Sequence, residues 1–236
     1  MTDRRLGDRR RIVYGRRRGR RLRPGRQRLI DELLPGLEIR LPQHGRPLDP
    51  RGLFDPAVEA VWLELGFGAG EHLACQAKAH PTVGMIGCEP FVNGVAALLA
   101  RIERERLQNV RIFADDGRDL IDVLPEASIG RVFVLFPDPW PKRRHGKRRV
   151  VSADSLAGLA RVMADGAELR LASDVPEQVR SMLAQTLASR AFEWTARRPG
   201  DWRQRPSDWP PTRYELKALD EGRRSAYLSF RRRPRG

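Results

Sequence analysis

The sequence predicts an α/β fold, a doubly wound and mostly parallel sheet, and three observations carry that prediction. Short apolar runs of strand character alternate with segments of helical period. The first run closes on a glycine-rich turn, and the runs that follow close on carboxylates. Strands alternating with helices imply βαβ units, whose ligand crevice lies at the carboxyl ends of the strands.

Taken in order, residues 1–28 come first and stand apart. They hold thirteen arginines against Asp3 and Asp8, too much charge to bury a core, so they are expected to form a basic, disordered arm before a single domain over 29–236. The strand candidates then run AVWLEL, VGMIGCE, VRIFA, RVFVLF and AELRLAS, with AYLSF near the end. Between them Val92, Val95, Ala96, Leu99 and Ile102 share one helical face. Val179, Met182, Leu183 and Leu187 share another after Pro176, which suits a helix start.

Composition bounds the partners. The 236 residues are 40% hydrophobic with a formal net charge of +15, concentrated in the arm, which points to a polyanion. No apolar run approaches the roughly 20 residues of a membrane span, and the N-terminus has no apolar signal region. A cytoplasmic protein without membrane association is expected. Cys75 and Cys88 show no metal-ligand spacing and read as reduced packing residues, so no metal site is expected.

The first strand ends in LELGFGAG, where Gly66, Gly68 and Gly70 allow a tight turn and a close approach of a cofactor to the backbone. G-x-G-x-G does not complete a dinucleotide fingerprint. The second strand ends at Glu89, nineteen residues past Gly70, where a carboxylate accepts hydrogen bonds from both hydroxyls of a ribose. Glu64, beside the same turn, would repel a pyrophosphate and welcome a cation. S-adenosylmethionine has a ribose, a sulfonium and an ammonium but no phosphate, and suits acidic walls better than a nicotinamide dinucleotide does. The third strand ends in ADDGRD, which places Asp116 toward the adenine end of such a ligand or in a simple turn. No crevice residue is expected before Glu64.

The fourth strand ends in FPDPWPKRRHGKRR. Prolines on both sides of Asp138 restrict the backbone and hold one carboxylate at the crevice. The run from Lys142 to Arg149 then sets positive charge at its lip, the footprint of a nucleic acid. Asp174, at the end of the LRLAS strand, reads either as an acceptor for a guanine edge or as the N-cap of the helix at Pro176; Glu215 reads as an acceptor or a surface acid.

Together ELGFGAGEHL, GCEPFVNGV, FPDPWPKRRHGKRR and PPTRYE resemble the bacterial tRNA (guanine-N7-)-methyltransferase family over nearly the whole chain beyond the arm. The resemblance implies the class I S-adenosylmethionine-dependent methyltransferase fold. It implies S-adenosylmethionine contacts at Glu64, Glu89 and Asp116 with the glycine turn, and a catalytic-site aspartate at Asp138 that also adjoins the cofactor. It further implies tRNA contacts at Lys142, Asp174 and the segment Thr212, Arg213, Tyr214 and Glu215, where the family's usual T-K-F-E reads T-R-Y-E with charge and ring kept. The implied target is guanine 46 of the variable loop.

Guanine N7 carries an in-plane lone pair and no proton, so it needs alignment and electrostatic support rather than a strong base. Asp138 fits that need through charge or through positioning. Two other functions stay open at this level. An amino-group nucleic-acid methyltransferase would carry an acidic or amide residue followed by Pro-Pro-aromatic where this chain has DPW, and a non-enzymatic RNA-binding protein would leave the strand-end carboxylates without a purpose. The sequence does not specify an oligomeric state.

Overall fold

The computed structural model describes residues 16–42, 46–140 and 148–236. The elements in chain order are α1 (Pro24–Glu32), α2 (Leu34–Leu37), β1 (Ala60–Leu65), α3 (Glu71–Ala79), β2 (Val83–Cys88), α4 (Val92–Glu105), β3 (Val110–Phe113), α5 (Gly117–Val123) and β4 (Ile129–Leu135). There follow α6 (Ala153–Val162), β5 (Met163–Ser173), α7 (Pro176–Ala188), β6 (Phe192–Trp194), α8 (Gly200–Arg203), α9 (Arg213–Asp220) and β7 (Ala226–Arg232). The seven strands form one sheet in the order β3-β2-β1-β4-β5-β7-β6. The β1, β2, β3, β4 and β5 pairings are parallel and β7 is antiparallel to both neighbours. The expected doubly wound sheet is therefore present, and the strand order reverses at β1 and β4, the switch point where such folds hold ligands.

The pleat divides the core in two. Val61, Leu63 and Leu65 of β1 face one layer with Leu120, Leu156, Leu159 and Met182. Trp62 of β1 and Phe133 of β4 face the other with Leu73, Val95, Leu98 and Leu99. Thus α5, α6 and α7 cover one face and α3 and α4 the other. Within α4 the expected apolar face is buried at Val95, Ala96, Leu99 and Ile102, whereas Val92 is half-buried.

Three expectations are corrected. Leu187, assigned to the buried face of α7, is 52% exposed. The three-residue β6 has no counterpart among the strand candidates, because a run that short shows no period. The arm was expected to be disordered over 1–28, yet α1 runs through residue 28 and packs Leu29 against the core layer that contains α4. Arg26 donates to Ala96 O, and Arg28 pairs with Glu103 at 2.5 Å. Residues 1–15 lie outside the described residues. Among those described, no helix is long and apolar enough to cross a membrane.

Candidate active site

A crevice of about 310 Å³ opens at the carboxyl ends of β1, β2, β3 and β4 and is lined by Gly66, Gly68, Glu89, Asp116, Asp138 and Tyr214, among others. Its volume is at the lower end for small-molecule sites. The floor is the glycine turn. Gly66, Gly68 and Gly70 all have φ between 58° and 75°, the left-handed region that only glycine enters at no cost. They serve different ends. A Cβ on Gly70 would fall 2.7 Å from Leu98, so Gly70 lets α3 pack against α4. A Cβ on Gly66 would meet no protein atom within 4 Å, so this turn leaves space above its backbone on the crevice side. Gly94, at the start of α4, makes the close approach possible: a Cβ there would lie 2.3 Å from Gly68 O.

Glu89 holds this floor in place. Its Oε2 accepts from Gly68 N–H at 2.8 Å and its Oε1 from Phe91 N–H at 3.0 Å. Burial pushes its carboxyl pKa above the usual range; the two backbone N–H groups pull it down, and the Asp138 and Glu64 charges push it further up. Each oxygen keeps a second lone pair, so the group can fix the turn and still accept from a diol. Asp116 caps α5 by accepting from Arg118 N–H, and its carboxylate also takes the Arg118 guanidinium at 2.5 Å. Asp116 therefore sits in the turn as a helix cap, and it also lines the crevice.

The opposite wall is the β4 loop. Phe136 and Trp140 have φ of 50° and 39°, a left-handed backbone that bulky residues rarely adopt. Between them stands Asp138, and Gln178 Nε2 donates to Pro137 O at 3.1 Å, tying the loop to α7. The Arg148 guanidinium lies 4.9 Å over the Trp140 ring, and Arg149 donates to Trp140 O at 3.2 Å. Lys142, with the rest of the basic run up to Lys147, lies outside the described residues.

Several residues predicted for the site do not reach the crevice. Glu64 shares the Trp62 face of β1 and is 2% exposed, with His72 Nδ1 2.7 Å from its Oε2. Asp174 receives Arg223 Nε at 2.7 Å. Thr212 is the N-cap of α9, its hydroxyl accepting from Glu215 N–H, and Glu215 is buried where Tyr227 OH donates to it at 2.5 Å. Burial and that carboxylate raise the Tyr227 pKa. Arg213 lies over the Tyr214 ring. Of this segment only Tyr214 lines the crevice; it is 48% exposed, with its ring near Gly68.

Sequence reasoning also missed contributors. Arg16 lines the crevice, contrary to the expectation that nothing before Glu64 would, and Phe91, Phe136 and Trp140 add apolar wall. No local signal marked Arg16 among thirteen arginines.

The donor set fits S-adenosylmethionine: open space above Gly66, a buried acceptor at Glu89 and further carboxylates at Asp116 and Asp138. A family described as "Putative methyltransferase" matches residues 58–228. A tRNA (guanine-N(7)-)-methyltransferase of Rhodospirillum rubrum is 53% identical over 224 residues, covering 94% of this chain and 88% of that one. One of Ruegeria pomeroyi is 49% identical over 228 residues, covering 94% and 95%. Among solved structures, the 16S rRNA methyltransferase KamB superposes with a TM-score of 0.54 at 18% identity, covering 75% of this chain and 89% of that one. A SAM-dependent O-methyltransferase from Thermotoga maritima gives 0.51 at 13% identity, covering 91% and 73%. These two likenesses establish the fold alone.

Proposed function

The chain belongs to the tRNA (guanine-N(7)-)-methyltransferase family, and from that premise we propose that its strand-end crevice holds S-adenosylmethionine beside guanine 46 of the tRNA variable loop. The enzyme transfers a methyl group from S-adenosylmethionine to N7 of a guanine in tRNA. The observation that carries the site assignment is the convergence of Gly66, Glu89 and Asp138, from three different strand ends, on one crevice.

When bound, S-adenosylmethionine supplies an electrophilic sulfonium methyl. Glu89 accepts from the ribose while keeping the glycine turn closed, and the Gly66 turn admits the ligand against backbone. Asp116 borders the adenine side. Guanine N7 would take the methyl with its own lone pair as the S–CH3 bond breaks and S-adenosylhomocysteine leaves with that bonding pair, so no residue has to remove a proton beforehand. Asp138 places negative charge where the purine becomes cationic, or fixes the ring by a hydrogen bond. The half-exposed Tyr214 ring offers a stacking surface at the same mouth, the usual way to hold a base outside its helix. Lys142, Arg148 and Arg149 supply charge for the RNA backbone. Thr212 and Glu215 act through the placement of Tyr214, and Arg213 borders it. Asp174 and Glu64 support the site through Arg223 and His72. A tRNA substrate and bacterial relatives support a cytoplasmic enzyme.

Mass spectrometry of nucleosides after incubating unmodified tRNA with protein and S-adenosylmethionine tests this reading. 7-Methylguanosine should appear, and nuclease fragments should map it to position 46. N6-Methyladenosine or N4-methylcytidine alone would indicate amino-group chemistry, and RNA binding with no methylated nucleoside would indicate a non-enzymatic protein.

A further inference from the structure

Residues Arg16 to Arg20 run beside the crevice, in contact with the segments that follow β2 and β3. Arg16 lines the crevice itself. Arg17 pairs through NH2 with Asp115 Oδ1 at 2.6 Å, and the same oxygen accepts from Asp116 N–H at 2.9 Å. Arg17 O accepts from Val92 N–H at 3.0 Å, in the first turn of α4. Gly19 N–H donates to Asn93 Oδ1 at 2.8 Å, and Asn93 returns its Nδ2 to Arg20 O at 2.8 Å. Gly19 leaves no room for a side chain, since a Cβ would lie 2.8 Å from the Phe91 ring and 2.9 Å from Asn93 Oδ1. Downstream, α1 anchors this run by its packing on α4.

A solvated basic tail does not require this many backbone contacts at one place. Among the described residues, every partner of the run lines or adjoins the crevice: Asp115 and Phe91 line it, and Val92 and Asn93 follow Phe91. We propose that Arg16–Arg20 form a strap over the cofactor crevice, with Arg17 as the positioning residue that pins it to Asp115, and that the strap slows escape of the bound nucleoside. The proposal rests on the crevice being the S-adenosylmethionine site.

Its test is the dissociation rate of S-adenosylhomocysteine from the full chain, measured by stopped-flow competition. Arg17→Ala should release it about threefold faster, the range expected for loss of a half-exposed ion pair, with unchanged melting temperature. Arg17→Lys, which can still pair, should stay within about twofold of wild type. Gly19→Val should release it about tenfold faster, because the branched side chain forces the strap away from Phe91 and Asn93. Unchanged release in both Arg17→Ala and Gly19→Val, with normal binding by the wild-type chain, would remove the strap and leave the cofactor site standing. Failure of the wild-type chain to bind S-adenosylhomocysteine at all would remove the cofactor site and the strap with it.

Discussion

Two groups of carboxylates stand at the strand ends and the segments beside them, and they behave differently. Glu89, Asp116 and Asp138 face the crevice, whereas Glu64, Asp174 and Glu215 are turned away and held by His72, Arg223 and Tyr227. All six look alike as acids placed near a ligand crevice. The difference lies in strand parity and in the partners that the fold brings to each. An acid that lines the opening is available to a ligand even where, as at Glu89 and Asp116, it also holds an internal partner; an acid that does not line it organises the wall.

The comparison is sharpened most by Asp138. Asp138→Ala should lower turnover by about 10²–10³-fold, the usual cost of removing one group preorganised for transition-state charge. Binding of S-adenosylhomocysteine and tRNA should survive, since Glu89 and the basic residues remain. Single-turnover kinetics at saturating tRNA read this directly. Asp138→Asn separates the two roles: near-normal turnover assigns positioning, and a loss as large as that of Ala assigns charge.

Glu89→Ala should lower cofactor affinity by at least about tenfold, because charge-assisted hydrogen bonds to the ribose disappear. It should also lower the melting temperature, since Gly68 and Phe91 lose the acceptor of their N–H groups. Gln does not repair both losses, as its NH2 would confront one of those two donors. Titration separates binding from folding in the wild-type chain. Burial raises the Glu89 pKa, so protonation begins above the ordinary carboxylate range as pH falls. The folded state favours that proton, so this group stabilises the fold as it is neutralised. Cofactor affinity should nevertheless fall through the same window, and calorimetry beside thermal melts would show the two trends diverging.

A smaller effect is expected from the far N-terminus. Deleting residues 1–15 removes Arg4, Arg5, Arg9, Arg10 and Arg11 but leaves the strap. Affinity for tRNA should then fall less steeply with salt, the slope easing by up to about 0.9 for each phosphate that these arginines neutralise on a duplex of B-DNA charge density. Affinity for S-adenosylhomocysteine should not change. Parallel salt slopes for the two chains would show that these arginines do not grip phosphates.

Much of the fold was legible because its signals are local. The apolar runs and the α4 periodicity locate the sheet and its covering helix, and the glycine turn with Glu89 and Asp138 locates the crevice. What escaped depends on distant partners or on orientation. Asp174 meets Arg223, and Arg17 meets Asp115 across 98 positions, pairings that no spacing announces. Thr212 was open to a better reading: Thr-x-x-Glu before a helix is a capping pattern, and Thr212 caps α9. Parity was open to it as well. Val61, Leu63 and Leu65 alternate with Trp62 and Glu64, which sends Glu64 to the face opposite the three aliphatic residues.

Glu64 is therefore where the distinction between facing and organising acids meets its most direct test, a calorimetric titration of S-adenosylhomocysteine into Glu64→Gln. The carboxamide keeps the size and an acceptor for His72, so the wall should hold. Affinity should stay within about threefold of wild type, less than the loss of one charge-assisted hydrogen bond, while the melting temperature falls with the weakened His72 pair. A loss of tenfold or more in a variant that melts like the wild-type chain would place Glu64 on the ligand and contradict the division between the two groups of acids.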